Sequence, residues 1–306
     1  MTVALFPTPS DDSSAIAFAR HETFHPRFGW LKKGYDKAFS DPEIFLREDA
    51  PVQLGVGKNM VRSIRYWCNA FKVLEEGDRA AIPTAWGQKL LSDDGYDPFL
   101  EDPASLWLLH WALLKPPCLA TAWSFAFNQF RSVEFSSEDL FLSLCDYRES
   151  LSTRIADSSI RKDVTCILRM YAEPSRRAKL TEDAIDCPFT GLHLLYEAGD
   201  SKRYEFQIGA KDNLPDAIVV AACLDFVSWV SPQSRTIALS RLAFDPGSPG
   251  MVFKLTEAAL SAAIEAIAIQ TKDLTLSTGA GLVQFQYPTH PEQWATNLLD
   301  QYYHAQ

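Results

Sequence analysis

The 306-residue sequence lacks several things that would have placed it quickly. Its six cysteines lie far apart with no Cys-x-x-Cys, which excludes a zinc ribbon or a thioredoxin-type redox pair, and they read as buried thiols. No apolar run nears the ~20 residues of a membrane span. The first residues carry no basic stretch followed by an apolar one, so no secretory leader is expected and the expected location is cytoplasmic. Bases are outnumbered, 29 against 39 acids, giving a net charge of −10, which excludes a polybasic protein that coats nucleic acid by charge alone. Phosphate-binding glycine loops are missing too. Gly55-Val56-Gly57-Lys58 has Val52 where a P-loop needs glycine and Asn59 where it needs Ser or Thr; Gly279-Ala280-Gly281 lacks a third glycine. No Gly-x-Ser-x-Gly elbow is present.

What is present is a chain that is 47% hydrophobic, enough for a large core, with a charge that is segregated. Residues 1–14, rich in Pro, Ser and Asp, read as a flexible arm. Three domains are expected after it, over residues 15–92, 93–200 and 201–306. The middle one opens strongly acidic, with ten acids against three bases between Asp93 and Ser150. Trp-, Leu- and Phe-rich stretches at Ala104–Leu114 and Ala120–Phe130 read as buried helices, the first stopped by Lys115-Pro116-Pro117. Helical periodicity returns over Ser137–Ala172, Pro215–Val230 and Thr256–Gln270, and Tyr204–Ile208 and Val283–Tyr287 read as strands. The expected fold is mainly α with short β-hairpins, a multi-domain helical chain carrying winged-helix-like modules.

The first such module is the clearest. A helix near Asp41–Arg47 leads through Gly55 and Gly57 into a long helix from Lys58 to about Leu74. Met60, Ile64, Trp67 and Phe71 make its apolar face, while Lys58, Arg62, Arg65, Asn69 and Lys72 line the other. No acid occurs between Leu54 and Leu74, and Ala81–Leu91 can supply a strand, a turn and a helix in the manner of a wing. A basic helix after a tight turn suits the major groove of duplex DNA. A weaker echo places Ile160, Val164, Ile167 and Tyr171 opposite Arg154, Arg161, Thr165 and Arg169, in a second segment of net +4 from Arg154 to Leu180.

Two motifs carry possible chemistry. His21-Glu22-Thr23-Phe24-His25 fits the His-Glu-x-x-His of zinc proteases, although Pro26 ends any helix there and no third histidine follows in register. Asp200 with Glu205-Phe206-Gln207 has the outline of a Mg²⁺-dependent nuclease carboxylate pair, with Gln in place of the usual lysine.

The cluster around His21 also carries a family resemblance. Arg20-His21-Glu22-Thr23-Phe24, Arg27 and Gly29-Trp30-Leu31-Lys32 are similar to the opening signature of a bacterial domain family of formerly unknown function, whose members occur beside genes for DNA phosphorothioate modification. Leu54–Val61 with Ile64 and Trp67, Asp186–Phe189, Leu214–Asp216, Ser248–Gly250 and Val252–Leu255 resemble it as well, so the likeness spans nearly the whole chain. The resemblance implies Mg²⁺-dependent nicking of duplex DNA in company with a cysteine desulfurase, an ATP-pyrophosphatase-like enzyme and an ATPase. It also sets the protease reading aside, because a second histidine at the position of His25 is not fixed in that family. From chemistry, Glu22 is the candidate metal ligand or base, with Glu205 as a second metal ligand, and His21 the candidate for proton transfer. Arg27 and Lys32 are placed on phosphate, and Lys58, Asn59, Arg62, Arg65, Arg161 and Arg169 on DNA. The alternative is a non-catalytic winged-helix adaptor that binds DNA and recruits the modification enzymes.

Overall fold

The computed structural model describes residues 16–173, 187–198, 202–279 and 281–305. The N-terminal arm, Asp200, and the basic residues between 174 and 186 lie outside these. The chain is mainly helical with small sheets, and no described helix is long and apolar enough to cross a membrane.

The first unit runs α1 (Trp30–Ser40), α2 (Ala50–Leu54), α3 (Lys58–Ala70), then the antiparallel hairpin β1 (Leu74–Glu76) and β2 (Ala81–Pro83), and α4 (Ala85–Leu91). The helix expected near Asp41–Arg47 is a short 3-10 turn, Ile44–Leu46, with α2 following it. Gly55 takes a left-handed φ of 64° to end α2, a conformation that costs a glycine nothing. Val61, Ile64, Trp67 and Cys68 form the buried face of α3. Gly87 of α4 lies so close to the backbone of Val73 that a β-carbon there would stand 2.1 Å from a carbonyl oxygen, and this packs α4 tightly against the link between α3 and β1.

α5 (Pro103–Leu114) is the central helix, with every residue from Ala104 onward buried. Asp102 caps its start by accepting from the Ala104 amide. At its other end Lys72, just past α3, donates to the carbonyls of Ala112 and Lys115 (2.8 Å to the latter), placing a cation at the negative end of the helix. Burial lowers the Lys72 pKa to about 8. Lys115 turns inward to Asp225 at 2.7 Å, and Trp111 donates to the same carboxylate.

Two further units are built alike, the C-terminal one with an additional short helix. In the middle unit, α6 (Thr121–Asn128), β3 (Glu134–Ser136), α7 (Ser137–Ser150) and α8 (Asp157–Tyr171) precede β5 (Leu195–Glu197) and β6 (Arg203–Phe206); β4 (Ala172–Glu173) adds a parallel edge, giving the order β3-β6-β5-β4. In the C-terminal unit, α9 (Asp216–Val230), β7 (Thr236–Ala238), α10 (Leu239–Phe244), α11 (Pro249–Phe253) and α12 (Glu257–Ala268) precede β8 (Thr275–Gly279) and β9 (Leu282–Gln286), in the order β7-β9-β8. Each places its first strand beside its last. α13 (Pro291–His304) then packs back on α9. The hairpin β5–β6 spans residue 200, so the middle sheet continues past the domain boundary expected there. One hydrophobic core runs through all three units. At its middle, His110 accepts from the Tyr171 hydroxyl at 2.8 Å and donates to the Val252 carbonyl at 2.9 Å; burial pushes its pKa down to about 3, so the ring is neutral.

Candidate nucleic-acid interface

Residues 18–28 do not form the helix that a His-Glu-x-x-His zinc site needs. Ala19, Glu22 and Thr23 take left-handed φ values and the segment coils tightly, with the Phe24 amide on the His21 carbonyl at 2.9 Å. The turn drives His21 into the core among Tyr66, Trp67 and Trp123. There its Nε2 meets Asp163 of α8 at 2.7 Å, and the same carboxylate accepts from the Ala19 amide. Burial raises the Asp163 pKa, with His21 pulling the other way. Trp67 donates to the Phe24 carbonyl at 2.9 Å, which fixes the turn onto α3. The histidine chosen in the sequence for proton transfer is therefore a fully buried tie between the N-terminal segment and α8.

Glu22 lies at the surface side of that turn, 3.5 Å from Arg62. Arg27 stands over the Trp30 ring at 5.7 Å. Lys32 is held by Asp36 at 2.7 Å and Asp93 at 3.0 Å; partial burial opposes its charge, but these two bonds prevail and raise its pKa. Its charge is thus already neutralised.

On α3, Lys58, Asn59 and Arg62 are exposed at the N-terminal end, which has no acid in its first turn. Arg65 is half-buried and pairs with Glu76 at 3.2 Å, Asn69 donates to the same carboxylate, and Lys72 enters the core. The basic stripe expected along the whole helix accordingly ends at Arg65, because the last turns pass beneath the hairpin. On α8, Arg161, Lys162, Thr165 and Arg169 form the exposed face. Arg161 lies over the Phe141 ring at 3.6 Å and makes a two-pronged pair with Glu138. Lys162 and Arg169 make no ion pair among the described residues.

Glu205 sits on β6 directly opposite Glu134 of β3 and accepts from the Tyr196 hydroxyl on its other side. Glu22 and Glu205 thus serve different partners. Glu134, bonded to Arg203, was not singled out in the sequence; only the register of β3 on β6 sets it beside Glu205. No group of three or more metal-ligating side chains occurs among the described residues.

The chain matches the model of a family described as a protein of unknown function, DUF4007, over residues 18–303. It belongs to that family. It is similar to two solved structures of SspB, each at 39% identity and each covering 99% of this chain and 91% of that one. One is magnesium-ion-bound SspB, with a TM-score of 0.88; the other, SspB itself, has 0.86. No curated protein matches. At this identity and coverage the likeness extends through all three units.

Proposed function

We propose that the protein is a magnesium-dependent, DNA-nicking endonuclease of the Ssp phosphorothioation system, in which three winged-helix-like units present two basic helices to duplex DNA. The observation that carries the docking is the pairing of α3 and α8: each is a long helix leading toward a β-hairpin, and Lys58 on α3 and Lys162 and Arg169 on α8 are exposed with no ion pair among the described residues. Lys58, Asn59 and Arg62 at the N-terminal end of α3 suit a groove edge, where Asn and Arg make paired hydrogen bonds to bases. Lys162 and Arg169 suit phosphates, with Arg161 fixed by Glu138 and Phe141 and Arg65 by Glu76 as supports. The kinship with SspB supports the pathway and, through the magnesium-bound relative, the metal.

Magnesium binds through one or two carboxylates, waters and phosphate oxygens, and supplies neutralisation of the charge that develops on the cleaved phosphate. Glu22, partly exposed beside Arg62, and the cross-strand pair Glu134 and Glu205 are the carboxylates suited to it. His21 acts in this reading as a positioning residue, holding the turn that presents Glu22. Its partners in the cell would be the cysteine desulfurase, the ATP-pyrophosphatase-like enzyme and the ATPase of the pathway. Incubation of supercoiled plasmid with the protein, in Mg²⁺ or in EDTA, tests the reading: open-circular product in Mg²⁺ alone supports it, and none in either overturns the enzyme.

The adaptor reading is favoured by a specific observation, that His21 is sealed with Asp163 and Lys32 is neutralised by two acids. Glu22→Ala separates the two. Loss of nicking with duplex affinity kept identifies an enzyme.

A further inference from the structure

A cavity of about 630 Å³ opens in the middle unit, lined by Glu173, His193, Tyr196, Gln207, Lys211 and Asp212 among others. One of its lining residues, Glu173, lies just past the end of α8, two positions after the last helical residue, Tyr171. The cavity's volume falls in the range of small-molecule sites, and its lining offers three different chemistries.

The first is aromatic. Tyr196 is 39% exposed, its hydroxyl held by Glu205, and His193, in a left-handed conformation, is oriented by its bond to Glu173. Both rings are fixed by carboxylates at their polar ends, which leaves their faces available for stacking. The second is a hydrogen-bonding edge. The carboxylate of Asp212 and the amide of Gln207 are exposed, and neither side chain has a partner among the described residues. The third is a cation. Lys211 donates to the carbonyls of Gly209 at 2.7 Å and Lys254 at 3.3 Å, which uses two of its three N–H groups. No carboxylate pairs with it among the described residues. Behind it stands Lys254, equally without a carboxylate, bonded to the Phe127 carbonyl at 2.7 Å and set over the Phe206 ring. Burial lowers the Lys211 pKa to about 8, which leaves it protonated at neutral pH, while burial with Arg131 and Lys211 nearby lowers that of Lys254 to about 7.

A stacking surface, a polar edge and an uncompensated cation within one cavity match the three parts of a nucleotide. We propose that the cavity takes a single nucleotide, its base against Tyr196 and His193, a donor edge such as that of guanine on Asp212, and its phosphate toward Lys211. The nucleotide can come from a strand of docked DNA, in which case the inference rests on the DNA-docking reading, or from the free pool, in which case it does not.

Titration of the full chain with 2′-deoxyguanosine monophosphate by calorimetry tests this, with inorganic phosphate in parallel. Saturable binding is expected, weakened at least tenfold by Tyr196→Ala and by Asp212→Asn, both exposed changes that leave the core intact, and unaffected by Arg62→Ala. A duplex carrying 2-aminopurine at successive positions identifies the source: a fluorescence rise on binding, lost in Tyr196→Ala, means a nucleotide drawn from the strand, and mononucleotide binding without a rise means the free pool. The proposal is overturned if neither probe responds, if both variants bind like wild type, or if phosphate alone binds as well as the nucleotide. Failure of DNA docking is read separately, from duplex affinity that Lys58→Ala and Arg62→Ala leave unchanged, since the mononucleotide titration involves no duplex.

Discussion

α8 and α12 hold corresponding places, each the last described α-helix before its unit's terminal hairpin, yet they present opposite surfaces. Outside, α8 shows Arg161, Lys162, Thr165 and Arg169; α12 shows Ala258, Ala262 and Glu265, and ends beside Ile269, which is 87% exposed. Inside, α8 buries Asp163 against His21, whereas the buried face of α12 is Leu260, Ala263, Ile264 and Ile267. One architecture is thus used twice with different chemistry on both faces, which is how function is grafted onto a common fold. What distinguishes α8 from α12 is charge, buried in Asp163 on its inner face and exposed in Arg161, Lys162 and Arg169 on its outer one.

The largest test of that contrast removes the buried charge. Asp163→Ala leaves His21 sealed without its partner and is expected to cost about 3 kcal/mol, read from urea unfolding; Ile264→Val at the corresponding depth of α12 is expected to cost about 1 kcal/mol. An equal cost in the two helices would dissolve the distinction. Next, the outer faces: Lys162→Ala with Arg169→Ala is expected to weaken duplex binding about tenfold and to reduce the salt slope by about 2, while Glu257→Ala on α12 changes neither. Filter binding across a salt series measures both.

A third test falls where the two units meet, at Lys254, which follows α11 and reaches the Phe127 carbonyl of α6. Burial lowers its pKa from the ordinary 10.5 to about 7. Between these values the unfolded chain holds a proton that the folded chain does not, so stability rises with pH, by up to about 1.4 kcal/mol per unit, and the burial penalty is fully present below pH 7. Lys254→Met should flatten the pH dependence of the urea midpoint between pH 7 and 10 relative to wild type; an unchanged slope would show that Lys254 stays charged. The smallest effect is a gain: Ala262→Lys with Glu265→Lys, which gives α12 a face like that of α8, is expected to raise duplex affinity only about twofold to threefold by added charge.

The family was legible in short phrases spread along the chain, and the match over residues 18–303 agrees with them. Helices whose signal is local were legible too. α5 declares itself by a Trp- and Leu-rich stretch closed by two prolines, and α3 by its Ile64 and Trp67 face. The position of His21 was not, because its partner Asp163 is 142 residues away and a polar cluster reads as a surface site until that contact forms. The likeness of the C-terminal unit to the middle one was hidden for a different reason: β7 has three residues, and α12 carries no basic stripe to mark it. The basic face of α3 was overestimated at its C-terminal end, since periodicity cannot show that Asn69 and Lys72 turn inward beneath a hairpin formed later in the chain.

His21 and Glu22 are adjacent, and between them they touch both basic helices: His21 grips Asp163 on α8, and Glu22 meets Arg62 on α3. Two neighbouring residues therefore act as the set-screw of a caliper whose jaws are the two helices. The buried His21–Asp163 bond is the screw that is out of reach, and through the turn it fixes where Glu22 stands between the two helices.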